Sequence, residues 1–210
     1  MKKTKFTVGR ILFALPLFLA GPGFSCNDHQ KNKYGQNTLL IINIQPFTDI
    51  SKEDVQYVFN ELEKVYPHIE LNKPIELPTP AYYPPRNRYR ADSLINYLSR
   101  ITPAGHVTIG LTAKDISTTK GTIADWGVMG LGFCPGNACI ASTFRLSKEQ
   151  KLMQLFKVAI HELGHTQGLP HCSVISCFMR DAEGRNPTNE EVEFCKNCKA
   201  FLVSKGWQFK

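Results

Sequence analysis

Hydrophobic positions along this 210-residue chain change period several times, and each change predicts an element. From Thr38 to Phe47 the apolar run is nearly continuous and β-branched (Leu39, Leu40, Ile41, Ile42, Ile44), as in a strand buried on both faces. Ser51 and Asp54 then cap a helix in which Val55, Val58, Leu62 and Val65 recur at helical spacing. His68 to Leu71 has room for one short strand. Prolines 74, 78, 80, 84 and 85 predict no regular structure from there to about Arg88. That stretch carries Tyr82, Tyr83, Arg86, Arg88 and Tyr89. It reads as a surface loop with a basic, aromatic edge, the alternative being one wall of a substrate cleft. Arg90 to Arg100 follows as a helix with Leu94, Ile95 and Leu98 inward, and strands are predicted over His106–Leu111, Trp126–Leu131 and Cys139–Phe144.

Ser147 and Gln150 form a capping-box pair ahead of Leu152, Leu155, Phe156, Ala159 and Leu163, the apolar stripe of a third helix. At about 100° per residue, His161 and His165 fall on the face opposite that stripe. Such a helix buries one side and offers the other to a cleft. Thr188 with Glu191 predicts the cap of a final helix bearing Cys195 and Cys198 on one face. The chain shows no repeats, and its length suits one domain, placed at 38–210.

The polar face of the third helix opens the stretch His161-Glu162-Leu163-Gly164-His165-Thr166-Gln167-Gly168-Leu169-Pro170-His171. Two histidines four apart share one helix face and can ligate one metal. Glu162 projects beside them, where it can take a proton from metal-bound water. Gly168 supplies the left-handed turn of a helix stop, after which His171 can return as a third ligand. Three neutral ligands leave a fourth position for water, as in a catalytic zinc site.

Beyond His171 come Cys172, Cys177, Met179 and the pair Cys195-x-x-Cys198. The whole string resembles the archaemetzincin family of zinc peptidases. The likeness extends upstream to about Leu39, through Gly110-Leu111-Thr112, Asp115-Ile116 and Ser142-Thr143-Phe144-Arg145-Leu146. One departure is the spacing of Met179 and Cys195, whose fifteen intervening residues are slightly fewer than the family pattern. The resemblance implies a zincin/metzincin-like α/β (α+β) fold: a twisted mixed sheet packed on helices, with an active-site helix, a Met-turn and a C-terminal helix. It implies a catalytic zinc on His161, His165 and His171, with Glu162 as general base and Met179 in a turn beneath the metal. It also implies a second, structural zinc on Cys172, Cys177, Cys195 and Cys198, hence two Zn2+ and a peptide or protein substrate. In that fold the strand before the zinc helix is an edge that pairs with extended substrate. Cys139–Phe144 is therefore expected at the edge, an inner strand being the alternative.

Other residues bear on the mechanism less directly. Met179 reads as a packing floor, since a thioether suits softer metals than zinc. No tyrosine follows Tyr97, so oxyanion stabilisation falls to the metal or to a residue of the amino-terminal half, with His106 the best outside candidate. His29 and His68 read as structural or surface residues. An exported zinc-binding module of the same fold, binding peptide or protein without proteolysis, is the alternative function; a base beside the metal argues for the enzyme. An aminopeptidase would need an acidic group for the substrate amine, and Asp115 and Asp125 are the candidates. Exo- and endo-cleavage are not distinguished by sequence.

Charge and cysteine count complete the picture. The formal charge is +7, but residues 1–25 hold Lys2, Lys3, Lys5 and Arg10 without an acid, leaving +3 on the remainder. Residues 172–210 carry six basic and five acidic residues, and four thiolates on one zinc turn that balance negative. Neither segment predicts a nucleic-acid partner. The basic start and the apolar run Ile11–Ala20 read as an export signal over residues 1–25. Cys26 follows as a lipoprotein-type modification site, ordinary cleavage being the alternative, and residues 26–37 read as a tether. The expected location is the bacterial cell envelope, lipid-anchored through Cys26, or otherwise periplasmic or secreted. With Cys26 lipidated, six of the seven cysteines remain. Four have metal spacing, and Cys134 and Cys139 are expected to form a disulfide, extra metal ligands being the alternative.

Overall fold

The structure is a computed structural model that describes residues 39–182 and 184–210. The expected export signal, Cys26 and the tether lie outside the described residues. Strand β1 (Ile41–Pro46) is buried from Ile42 onward, as its unbroken apolar run requires. Helix α1 (Lys52–Val65) starts at Ser51, whose hydroxyl accepts from the Asp54 N–H and satisfies one donor of the first turn. Val55, Val58 and Leu62 are its buried stripe. Then come β2 (Ile69–Leu71), α2 (Ala91–Ile101) and β5 (His106–Thr112), with β3 (Tyr82–Tyr83) and β4 (Arg88–Arg90) between β2 and α2. After β5 the chain adds β6 (Ile116–Lys120), β7 (Ile123–Val128), β8 (Gly130–Gly132), β9 (Ala138–Ser142), α3 (Lys151–Thr166) and α4 (Lys196–Ser204).

Five strands form a mixed sheet in the order β2-β1-β5-β9-β8, in which only β8 runs antiparallel to its neighbour. Alternation along each strand sends side chains to two apolar layers. Ile42, Ile44, Val107, Ile109, Cys139 and Ala141 face α1, α3 and α4, whereas Ala138 and Ile140 face α2. The fold is thus the predicted mixed sheet packed on helices, with α3 laid across the β9–β8 end.

Several boundaries differ from the sequence expectations. The proline-rich stretch is not devoid of regular structure: it makes two short 3-10 turns (Thr79–Ala81 and Pro84–Arg86) and feeds β3 and β4. With β6 and β7 these form a second sheet, β3-β4-β6-β7. The strand expected over Trp126–Leu131 is split between the two sheets, its first half in β7 and its second in β8. Ser147 and Gln150 do not form a capping box. The Ser147 N–H donates instead to the Gln154 side chain (2.8 Å) and its hydroxyl to Glu149, so α3 begins at Lys151. Nor do Thr188 and Glu191 open the last helix. Both are buried in a connecting segment whose carbonyls accept from Lys157 Nζ, each at 2.6 Å, and α4 begins only after Cys195.

Cys134 and Cys139 are not bridged to each other. Cys139 is a free thiol, fully buried on β9 beneath α3, where the inward alternation of the strand puts it. Burial pushes that thiol well above its ordinary pKa, with the nearby Glu162 carboxyl adding to the shift. Cys139–Phe144 is also not the edge: β9 lies between β5 and β8, and the sheet ends at β8.

Candidate metal centre

Helix α3 brings His161 and His165 to one face, with ring centroids 4.7 Å apart. It stops at Gly168, whose φ of 91° only glycine adopts without strain. The N–H groups of Gly168 and Leu169 close back on the carbonyls of His165 (2.8 Å) and Gly164 (3.1 Å), the paired bonds of a Schellman stop. That reversal returns His171 to the helix, its ring 5.4 Å from His161 and 4.9 Å from His165. One nitrogen from each of the three rings lies within 4.8 Å of the others.

Second partners set the tautomers. Nδ1 of His161 is 2.6 Å from the Phe178 carbonyl and Nδ1 of His165 is 2.8 Å from the Leu169 carbonyl. A carbonyl only accepts, so each Nδ1 carries the proton and each lone pair sits on Nε2. Nδ1 of His171 faces the Asp181 carboxylate at 3.3 Å, with the same consequence. Burial, helped by neighbouring imidazoles, lowers His161 to about 3; burial likewise lowers His165 to about 4. Both rings are neutral at pH 7, the form that binds metal.

These residues fit a zinc ion. His165 Nε2 and His171 Nε2 lie 3.3 Å apart with lone pairs opposed, an arrangement that calls for a cation between them. The edge of a tetrahedron with Zn–N bonds of about 2.05 Å is about 3.3 Å. Beneath the helix lies Met179, fully buried. A Cβ added at Gly164 would stand 2.3 Å from its sulfur, so glycine within the motif lets the methionine approach. Met179 therefore packs under the helix.

Glu162 lies beside this cluster, almost fully buried, and burial raises its carboxyl to about 8. It rests against β8. The bonds from Ser142 N–H to Met129 (2.8 Å) and from Phe133 N–H to Ala138 (3.5 Å) show which residues of this strand face β9. Met129, Leu131 and Phe133 do, so Gly130 and Gly132 direct their N–H and C=O outward, where the sheet ends. Sequence reasoning placed Gly130 and Leu131 in a strand but not at the edge, because the local pattern does not report which strands pair. A cavity of about 530 Å³ opens at His171, lined among others by Arg180, Asp181, Arg185 and Glu190.

The second cluster begins one residue after His171. Cys172 and Cys195 sulfurs are 3.7 Å apart, as are those of Cys177 and Cys198, and all four lie within 4.8 Å of one another. Disulfides need about 2.05 Å. A tetrahedron with Zn–S bonds of about 2.3 Å has edges of about 3.8 Å. The N–H groups of Met179 and Cys195 point at the Cys177 sulfur, at 3.5 and 3.3 Å, as a thiolate favours. Burial opposes ionisation of Cys195, but hydrogen bonds from Cys198 and the other thiols prevail and lower it to about 7.

Other candidates are not brought to the site. His106 lies at the start of β5 against Asn43 (3.2 Å), two strands from the edge strand. His68 is a surface partner of Gln208. Neither Asp115 nor Asp125 is free to receive a substrate amine. Asp115 holds Arg145 through two bonds (2.8 and 2.9 Å) and Arg88 at 3.0 Å, and Asp125 holds Arg88 at 3.3 Å with Arg86 and Arg90 nearby. This network ties the basic stretch after the prolines to β6, β7 and the segment after β9.

Comparison with known proteins places these features in a family. The family model of Peptidase family M54 matches residues 85–204. Archaemetzincin of Archaeoglobus fulgidus is 30% identical over 162 residues, covering 75% of this chain and 95% of that protein. Archaemetzincin of Haloquadratum walsbyi is 29% identical over 181 residues, covering 78% and 99%. The crystal structure of the Archaeoglobus fulgidus archaemetzincin, complexed with malonate, aligns with a TM-score of 0.65 at 29% identity, over 76% of this chain and 98% of that one.

Proposed function

The chain belongs to peptidase family M54 and is a zinc metallopeptidase; from that premise we propose that Glu162 is its general base and that His161, His165 and His171 hold the catalytic zinc. Bound there, a zinc ion would polarise the scissile carbonyl and lower the pKa of a bound water to about 7. A cation nearby favours the ionised carboxylate, offsetting the burial that raises Glu162. Glu162 then takes the proton of the attacking water and passes it to the leaving nitrogen. An extended peptide adds to β8 as a further strand, pairing with the outward N–H and C=O groups of Gly130 and Gly132. His161 and His165 stay neutral, and all three rings are held in place, each by its Nδ1 partner.

One observation carries this reading: a buried carboxyl lies between three lone-pair-bearing imidazoles and a sheet edge left open among the described residues. Zinc-loaded protein should cleave a mixed peptide library read by mass spectrometry, and the cut sites distinguish exo- from endo-cleavage. Glu162→Gln should lower the rate by about 10²- to 10⁴-fold while both zinc ions remain bound. Equal rates in the two proteins would remove Glu162 from the chemistry.

Cys172, Cys177, Cys195 and Cys198 are assigned to a second, structural zinc, because four thiolates leave no open position. The export signal and Cys26 support a cell-envelope location with a lipid anchor. Membrane fractionation of the full chain against Cys26→Ala tests that; equal partitioning would exclude the anchor.

A further inference from the structure

The two glycines of the edge strand leave no room for a side chain. A Cβ on Gly130 would stand 2.7 Å from Cγ and Oε1 of Glu162 and 2.7 Å from a Val158 methyl. On Gly132 it would stand 2.8 Å from the Glu162 carbonyl oxygen, and 3.3 Å from Glu162 Oε2 and His165 Cβ. Neither glycine has a positive φ, so backbone conformation is not what requires them. Close approach is. Their ladder partners, Ala141 and Cys139, are also small and face α3, so this corner of the sheet keeps low relief beneath Glu162.

We propose that Gly130 and Gly132 are positioning residues for Glu162. Their bare α-carbons let the carboxylate lie against the strand whose outer edge seats the peptide backbone. One three-residue strand thereby fixes the distance between base and scissile bond, placing Glu162 from its inner face and the substrate from its edge. This deepens the reading of Glu162 as general base and rests on it.

The two positions fail in different ways. At Gly130 the obstacles are side-chain atoms, so α3 stays in place and the carboxylate moves. At Gly132 the obstacle is helix backbone, which cannot give without carrying His165 along. Gly130→Ala therefore separates positioning from folding. In the zinc-loaded variant kcat should fall by about 10- to 100-fold with KM changed by less than about threefold, as for a displaced catalytic group. Zinc content should be unchanged, and a crystal structure should show the Glu162 carboxylate displaced over an unmoved α3. Adding Val158→Ala to Gly130→Ala gives the carboxylate room and should recover much of kcat; this double variant also supplies the measurement if the single one folds poorly. Gly132→Ala should lose the zinc held by the histidines.

A kcat within about twofold of the parent, or a Glu162 unmoved in the crystal, would overturn the proposal. So would a loss of kcat that the second substitution leaves untouched. Were the parent protein to cleave nothing while the crystal showed Glu162 displaced by the methyl, the positioning would stand and the proteolytic role of Glu162 would fall.

Discussion

His171 closes the imidazole cluster and Cys172 opens the thiolate cluster, yet these neighbours in the chain belong to sites of opposite character. Around the histidines there are three nitrogen donors, an exposed third ring, a buried carboxyl and a sheet edge with no strand partner among the described residues. Around the cysteines there are four ligands, two of them buried, with backbone N–H groups aimed at sulfur. Donor chemistry alone would let either hold zinc. On the proposed reading, what lies alongside the donors decides the role: an open position beside a carboxyl suits chemistry, a closed shell suits structure. The two are also mechanically joined, because Cys172 N–H donates to the Met179 carbonyl (2.7 Å) and Phe178 both holds His161 and contacts Phe194 before Cys195.

The sharpest way to break the comparison is to remove one ligand from each cluster. His165→Ala should abolish cleavage and lose one zinc equivalent, while backbone hydrogen exchange over Lys196–Ser204 stays protected. Cys198→Ala should also lose one equivalent, but with stability lowered by more than about 4 kcal/mol and protection lost over α4. Metal analysis with exchange mass spectrometry reads both. If His165→Ala exposes α4 as strongly as Cys198→Ala does, the two sites are one structural unit and the contrast dissolves.

A smaller effect is expected where the sites touch. Gly164→Ala places a methyl where the Met179 sulfur already lies, at 2.3 Å, in a region with no free space. Overpacking of this kind costs about 1–3 kcal/mol, or roughly 2–4 °C per kcal/mol in a chain of this size. Because Met179 follows Phe178, whose carbonyl orients His161, activity should fall as well. An unchanged thermal midpoint together with unchanged turnover would show that Met179 moves aside freely.

How much of this was legible in sequence follows from range. The three histidines, Glu162, Gly168 and Met179 lie within one short stretch, and helix geometry alone places the first two ligands. The cysteines announced themselves by spacing. Pairing of distant segments left no such trace. Whether Ala138–Ser142 is inner or edge depends on whether three residues after β7 return to lie beside it, and the local pattern does not report which strands pair. The second sheet was hidden because prolines signal loops without saying that β3 and β4 pair between them. Capping patterns misplaced two helix starts because the polar groups involved found other partners: the Ser147 N–H donates to Gln154, and the Thr188 and Glu191 carbonyls accept from Lys157. No disulfide joins Cys134 and Cys139, because strand alternation turns the Cys139 thiol inward beneath α3, a direction that cysteine spacing does not report.

Glu191 gives the finest probe of what holds the segment leading to the cysteine cluster. Its carboxyl is buried, and desolvation raises it from 4.5 to about 7 against the opposing pull of Lys157 and Arg180, with Glu190 adding to the rise. Lys157 spends its hydrogen bonds on the backbone carbonyls of Thr188 and Glu191. The folded protein therefore binds more protons at this position than the unfolded chain between about pH 4.5 and pH 7, so the stability it contributes is present below that window and lost as pH rises through it. Glu191→Gln mimics the protonated form at every pH. It should match the parent near pH 4.5 and exceed its thermal midpoint by about 2–4 °C at pH 8, with both zinc ions bound. A variant less stable than the parent at pH 8 would mean that the ionised Glu191 is held by Lys157 after all, and that charge as well as zinc fastens this segment to α3.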